Sequence, residues 1–210
     1  MASVLVIAPH ADDEVLGVGG TLHKHVNQHD DVNVVIVSDR TKLKIKQRNQ
    51  SKEVRDTIKY NKVFHLGLED EHLHENIKSV ISGLERVYAK VKPDIVYTCT
   101  NEELNLDHLA VYEASTIVCR PHQEHPPKMV LLYEVLAASF TPNYYSILSW
   151  FYVMRKQMVM KIYTDEVRED VHPRSPHGID ILAKKRGIEC GSEYAEGFKL
   201  YYCAHENTLG

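Results

Sequence analysis

The sequence predicts an α/β fold, Rossmann-like and layered, with a mostly parallel sheet flanked by helices. Three observations predict it. Short β-branched runs alternate with longer segments of helical periodicity through the first two-thirds of the chain, the pattern of parallel strands joined by crossover helices. Runs such as VLVIA at 4–8 are apolar throughout, as buried strands are. The chain has 210 residues, 43% of them hydrophobic and 26% charged, which suits one ordinary globular domain spanning 1–210.

The elements follow in order. Residues 4–8 form a buried strand, and helical spacing runs over 15–27. Residues 32–37 form a second buried strand, followed by a polar helix over 44–60 and a short strand at 63–66. Residues 77–91 make an amphipathic helix, with apolar positions at Ile77, Val80, Ile81, Leu84, Val87 and Val91. After Pro93 comes a strand at 95–97, then a helix over 106–118 and a strand at 129–133. Helix is expected over 147–164 and 177–186, and a last strand over 198–203. No linker or repeat interrupts the series, and the proline-rich stretch 121–127 reads as a surface loop.

Composition excludes several function classes. The net charge of −4 gives no basic surface for nucleic acid. The four cysteines, Cys99, Cys119, Cys190 and Cys203, are scattered with no C-x-x-C pair, which argues against a disulfide framework or a cysteine zinc site and fits a cytoplasmic protein. The first residues enter a strand directly, without the pattern of a signal peptide. No stretch of about 18 apolar residues offers a transmembrane segment. Residues 144–163 come nearest, but Arg155, Lys156, Gln157 and Lys161 interrupt them, so that stretch reads as a helix with one buried face.

Parallel α/β sheets bind ligands at the carboxyl ends of their strands. The first strand ends in Pro9-His10-Ala11-Asp12-Asp13-Glu14. Imidazole and carboxylate are zinc ligands, and neighbouring aspartates point different ways, so one can ligate while the other stands as a base beside the open position. The competing reading is that Asp12 caps the following helix and Glu14 complements its positive end. Gly17, Gly19 and Gly20 suit a helix packed closely under a pocket. A catalytic zinc needs a third protein ligand from another strand end. His108, in Asn105-Leu106-Asp107-His108 after the strand at 95–97, is the natural source, with Asp107 able to cap the helix or orient a ligating imidazole. Asn105 could donate its amide to a polarised carbonyl oxygen.

Thirteen histidines are many for this length. His72 and His74, with Asp70 and Glu71, lack a third ligand of their own and read as a polar loop. His25 and His29, spaced i,i+4 on the first helix with His23 beside them, read as a solvated face. His122 and His125 belong to the proline-rich loop. The aromatic group Tyr144, Tyr145, Trp150, Phe151 and Tyr152 reads as core or as a subunit interface, the latter making a homo-oligomer plausible. The absence of G-x-G-x-x-G after the first strand argues against a dinucleotide-binding module.

These motifs resemble the PIG-L/LmbE family of zinc-dependent N-acetylglucosaminyl de-N-acetylases. Residues 9–14 resemble its P-H-x-D-D-E signature, and 105–108 stand where the family commonly has H-x-D-H. Ser38-Asp39, the segment 65–70 and the later stretches 172–175 and 194–198 resemble further pieces. The resemblance implies that His10, Asp13 and His108 hold Zn2+ (other divalent transition metals suit such ligands too), that Asp12 is the general base and that Asp107 supports from behind. It implies release of acetate from an N-acetyl sugar or sugar conjugate, with Asp39, Arg40, Asp70, His172 and Arg174 as candidate substrate contacts. A hydratase or an amidase acting on a non-sugar molecule at the same site is the alternative. The chain departs from the pattern at Asn105, where the family often has histidine and where no proton can be supplied at neutral pH. His172 is one alternative donor. It departs also at Arg40, where glycine is frequent, and over 42–48, which lacks the family's Arg-x-x-Glu spacing and assigns nothing to Arg48.

Overall fold

The computed structural model describes residues 1–136 and 139–204. Among the described residues, seven strands form one sheet: β1 (Ser3–Ala8), β2 (Asp31–Asp39), β3 (Lys62–Glu69), β4 (Ile95–Cys99), β5 (Met129–Tyr133), β6 (Tyr144–Leu148) and β7 (Tyr194–Cys203). The helices are α1 (Asp13–Asn27), α2 (Lys44–Ile58), α3 (Ile77–Val91), α4 (Leu106–Val118), α5 (Trp150–Met160) and α6 (Pro176–Glu189). The order across the sheet is β3-β2-β1-β4-β5-β7-β6. The first five strands pair in parallel, while β7 runs antiparallel to both β5 and β6. This is the mostly parallel, helix-flanked sheet that the alternating pattern predicts.

The topology positions the site. The chain winds outward from β1 to β2 and β3, then returns to place β4 on the other side of β1. The crevice between the carboxyl ends of β1 and β4 is therefore the switch point of the sheet. Val4, Leu5 and Val6 lie opposite Ile95, Val96 and Tyr97, so the loops that follow Ala8 and Cys99 emerge side by side. Ser38 braces the first loop: its backbone N–H and its hydroxyl both donate to the Pro9 carbonyl, at 3.0 and 2.9 Å.

Helix α1 lies unusually close to its neighbours. A Cβ on Gly17 would stand 2.2 Å from the Tyr133 ring, and one on Gly20 would stand 2.4 Å from Leu148. The Tyr133 hydroxyl donates to the Ile7 carbonyl at 2.7 Å, locking the ring beneath the start of α1. Lys156, which breaks the apolar character of its segment, is itself buried. Its ammonium donates to the Leu16 carbonyl and to Glu196, at 2.6 and 2.7 Å, and Glu196 also accepts from the backbone of Gly20 and Thr21.

Two expectations need correction. The segment 147–164, expected as one helix, begins inside strand β6, and helix starts only at Trp150. The pairing that makes Tyr144–Leu148 a strand is with β7, some fifty residues later, which no local pattern reveals. Within the aromatic group, read as core or subunit interface, Tyr144, Trp150 and Phe151 are exposed while Tyr152 packs against the core. His23 and His25 do not form a solvated face: both are buried, and His25 contacts Asp30 and the Tyr97 hydroxyl.

His23 carries a consequence for acid stability. Its Nε2 is buried without a hydrogen-bond partner, and burial, aided by the nearby positive charge of Arg155, lowers its pKa to about 4. The unfolded chain, with an ordinary imidazole, takes up the proton near pH 6.5. Between pH 6.5 and 4 the unfolded state therefore binds more protons, and stability falls as pH falls. The expected loss from this residue is roughly 2–3 kcal/mol on going from pH 7 to 4.5. Denaturant midpoints at both pH values should show a smaller drop for His23→Leu than for the parent chain; equal drops would mean that His23 is not held neutral.

Candidate active site

Residues after β1 and at the start of α4 meet in the switch-point crevice. His10 Nδ1, Asp13 Oδ2 and His108 Nε2 form a triangle whose three sides are each 3.2 Å. Zinc bonded tetrahedrally at about 2.0–2.1 Å holds its ligand atoms about 3.3–3.4 Å apart, so one cation can touch all three. Two unpartnered buried atoms, Asp13 Oδ1 and His108 Nδ1, belong to the same group. Burial alone would raise the Asp13 carboxyl, but the His108 and His10 imidazoles hold it far below the usual carboxylate range. The donor set and its spacing thus fit a divalent transition metal.

The other nitrogen of His10 faces a second carboxylate pair. Nε2 lies 2.8 Å from Asp70 Oδ1 and 3.4 Å from Asp107 Oδ2. These three side chains could also hold a cation by distance alone. Both carboxylates are already engaged, however. Arg40 donates to Asp70 at 3.0 Å, and the backbone N–H groups of Glu71 and Leu73 donate to Asp107 at 2.7 and 2.9 Å. They are better placed as acceptors for an Nε2–H proton, which leaves the Nδ1 lone pair free for a metal. Asp70, expected as a substrate contact, is closer to His10 than Asp107 is.

Asp12 does not cap α1. Its side chain makes no capping hydrogen bond, and its backbone sits at φ 126°, a region that L-residues rarely adopt. Such strain costs on the order of 1–3 kcal/mol and concentrates at functional sites. Glu14 holds the strained unit: one carboxylate oxygen accepts from the Asp12 backbone N–H at 3.1 Å and the other from the Tyr163 hydroxyl. Burial pushes the Glu14 carboxyl up to about 7. Burial also raises the Asp12 carboxyl well above its ordinary value, reinforced by the charge of Asp13 and opposed by that of Arg174. Arg174 Nε lies 2.9 Å from Asp12 Oδ2, an ion-pair contact without hydrogen-bond alignment.

A pocket of about 420 Å³ opens over this group, lined by His10, Asp12, Arg40, Asp70, Asn105, Asp107 and Arg174, among others. Asn105 is the N-cap of α4: its Oδ1 accepts from the backbone N–H groups of Asp107 and His108, at 2.8 and 3.4 Å. Its donor chemistry therefore rests on Nδ2. Two candidates fall outside the pocket lining. Asp39 is buried against Arg48 on α2, and His65 and Arg48 hold its carboxyl at about 2 against the opposing effect of burial. His172 is exposed, and its Nδ1 accepts from the Arg174 backbone N–H at 3.1 Å, which shapes the turn carrying Arg174.

Two residues at the site carried no signal in the sequence. Glu103 stands 3.7 Å from His108 Nδ1 while accepting from the backbone of Val135 at 2.7 Å. Glu166, after α5, is buried and lines the pocket. Neither belongs to a motif; only the packing of loops from distant elements brings them in.

Comparison with known proteins places this arrangement. The chain is 29% identical to the uncharacterized deacetylase YaiS of Escherichia coli strain K12 over 125 residues, 56% of this chain and 68% of that protein. It shares its fold with the N,N'-diacetylchitobiose deacetylase of Pyrococcus horikoshii, at a TM-score of 0.77 and 21% identity over 100% of this chain and 89% of the other. It shares it also with GalB, the 4-carboxy-2-hydroxymuconate hydratase of Pseudomonas putida KT2440, at a TM-score of 0.72 and 19% identity over 100% of both chains. Residues 5–119, more than half the chain and inclusive of His10, Asp13 and His108, match the family described as PIG-L, GlcNAc-PI de-N-acetylase, and the chain belongs to that family.

Proposed function

We propose that the chain is a metal-dependent de-N-acetylase that hydrolyses the acetamide of an N-acetylated sugar derivative, giving acetate and the free amine. The observation that carries this reading is the 3.2 Å triangle of His10 Nδ1, Asp13 Oδ2 and His108 Nε2 beside Asp12, with His10 and Asp12 lining an open pocket. Family membership supports it.

His10, Asp13 and His108 would hold the cation, which we take to be zinc. When bound, such an ion supplies Lewis acidity and brings the pKa of water toward neutrality. Asp12, which is outside the triangle, accepts the proton of the attacking water and returns it to the leaving nitrogen. Arg174 orients the Asp12 carboxylate through the 2.9 Å contact. Asn105 Nδ2 donates to the amide oxygen as charge develops there. Asp70 and Asp107 fix the ring of His10 from behind. The return of the proton by Asp12 answers the lack of a histidine at position 105.

The test is acetate release from a panel of N-acetyl sugars by metal-loaded protein, with metal content measured on the same sample. Release that needs one equivalent of divalent metal per chain is expected. A metal-loaded chain that releases acetate from no member would overturn the reading. The fold shared with a hydratase favours one second reading, hydration of an unsaturated small acid; absorbance loss of such acids without acetate would identify it.

A further inference from the structure

We propose that the pocket selects uncharged or cationic N-acetyl sugars and rejects anionic conjugates, with Glu166 as the acceptor that recognises donor groups of the substrate. This rests on the de-N-acetylase reading and narrows its substrate class. Glu166 is 4% exposed, lines the pocket, and its Oε2 has no hydrogen-bond partner. Its other oxygen accepts from Arg40 Nη1 at 2.5 Å, and Arg174 Nη1 is 3.9 Å from Oε2, beyond hydrogen-bond reach. A buried carboxylate oxygen without a donor is costly, and a sugar hydroxyl or an ammonium entering the pocket would satisfy it.

The arginines, which a sugar phosphate or carboxylate would need, already lie against carboxylates of the protein. Arg40 spans Asp70 and Glu166, at 3.0 and 2.5 Å, and Arg174 lies against Asp12 at 2.9 Å. An anionic group engaging either one would bring its charge beside a carboxylate already held there, a like-charge contact in a poorly solvated place. Among the described residues lining the pocket, the five carboxylates of Asp12, Asp70, Glu71, Asp107 and Glu166 stand with two guanidiniums and the His10 imidazole. Adding Asp13 and a divalent cation leaves the balance negative. Lys44 and Lys46, just beyond, are also paired, with Asp39 at 3.7 Å and Asp165 at 2.6 Å.

The experiment compares kcat/KM for acetate release by the metal-loaded full chain. The substrates are N,N'-diacetylchitobiose, its mono-deacetylated form, N-acetylmuramic acid and N-acetylglucosamine 6-phosphate. The first two should exceed the anionic pair by about 10²-fold, the scale of a like-charge mismatch. Glu166→Gln, of the same size, should reduce that ratio by about tenfold or more. In parallel, isothermal titration of the same protein with glucosamine and glucosamine 6-phosphate reads charge selection without turnover. Anionic compounds that match or exceed the neutral ones overturn the proposal, and an unchanged ratio in a folded Glu166→Gln removes Glu166 from it. If no compound releases acetate, the de-N-acetylase reading falls by itself, and the titration alone decides charge selection: tighter phosphate binding overturns it, tighter glucosamine binding sustains it. Should the variant fail to fold, the parent chain's ratio decides.

Discussion

Asp12→Asn is expected to keep its metal and lose about 10²–10⁴-fold in turnover, the usual worth of a general base. The substitution preserves size and shape and removes only the ability to take a proton at neutral pH. Asp12 is 1% exposed and is not one of the three donor atoms of the triangle, so metal content should stay at one equivalent. Its backbone at φ 126° is held through Glu14, which accepts from the Asp12 N–H and so does not depend on the Asp12 side chain. The loss should appear in kcat more than in KM, because the group acts on the proton in flight and not on the resting substrate. Metal analysis and steady-state acetate release on one preparation check both halves. Undiminished turnover would remove Asp12 from the chemistry; loss of metal would mean that Asp12 and Asp13 have exchanged roles.

How much of this was legible beforehand depended on whether the determinant was local. Helices α3 and α4 and strand β5 match their expected bounds, because helical spacing and a short apolar run are properties of contiguous residues. The meeting of His10 with His108 was also readable, since crossover topology forces consecutive parallel strands to deliver their carboxyl ends to one edge. Asp70 and Arg40 reach the pocket for the same reason. Asp39, at the end of β2, does not line the pocket; its carboxylate accepts instead from Arg48 on the basic helix α2. No rule of spacing decides which partner a carboxylate takes when two basic groups compete. Strand β6 and residues Glu103 and Glu166 were illegible for the converse reason. Their roles are set by contacts with elements far away in the chain, β7, His108 and Arg40. The strain at Asp12 was hidden as well: a carboxylate before a helix reads as a cap, and only the backbone angle and the missing cap bond show otherwise.

The metal reading stands or falls with His108→Ala. His108 is 2% exposed, and its Nε2 is 3.2 Å from both other donor atoms. Removing it leaves one imidazole and one carboxylate, a pair that retains no three-point grip. Disturbing even an outer partner of a ligand costs about 10–100-fold in metal affinity, so deletion of a ligand should exceed that range. Dialysed protein should then carry well under one equivalent of metal, and acetate release should fall at least as far as in Asp12→Asn, because the Lewis acidity that the ion would supply is lost with it. The two variants are thereby separable: one is metal-replete and slow, the other metal-poor and slow. Excess metal should restore part of the activity of His108→Ala and none of that of Asp12→Asn. His108 also fills a buried space behind Cys99, whose thiol donates to the His108 carbonyl at 3.1 Å, so thermal unfolding must accompany the measurement. His108→Gln, which keeps more of the volume, should show the same metal loss with a smaller change in melting temperature. A folded His108→Ala that still holds one equivalent of metal after dialysis would place the ion elsewhere, with the His10, Asp70 and Asp107 group the first place to look.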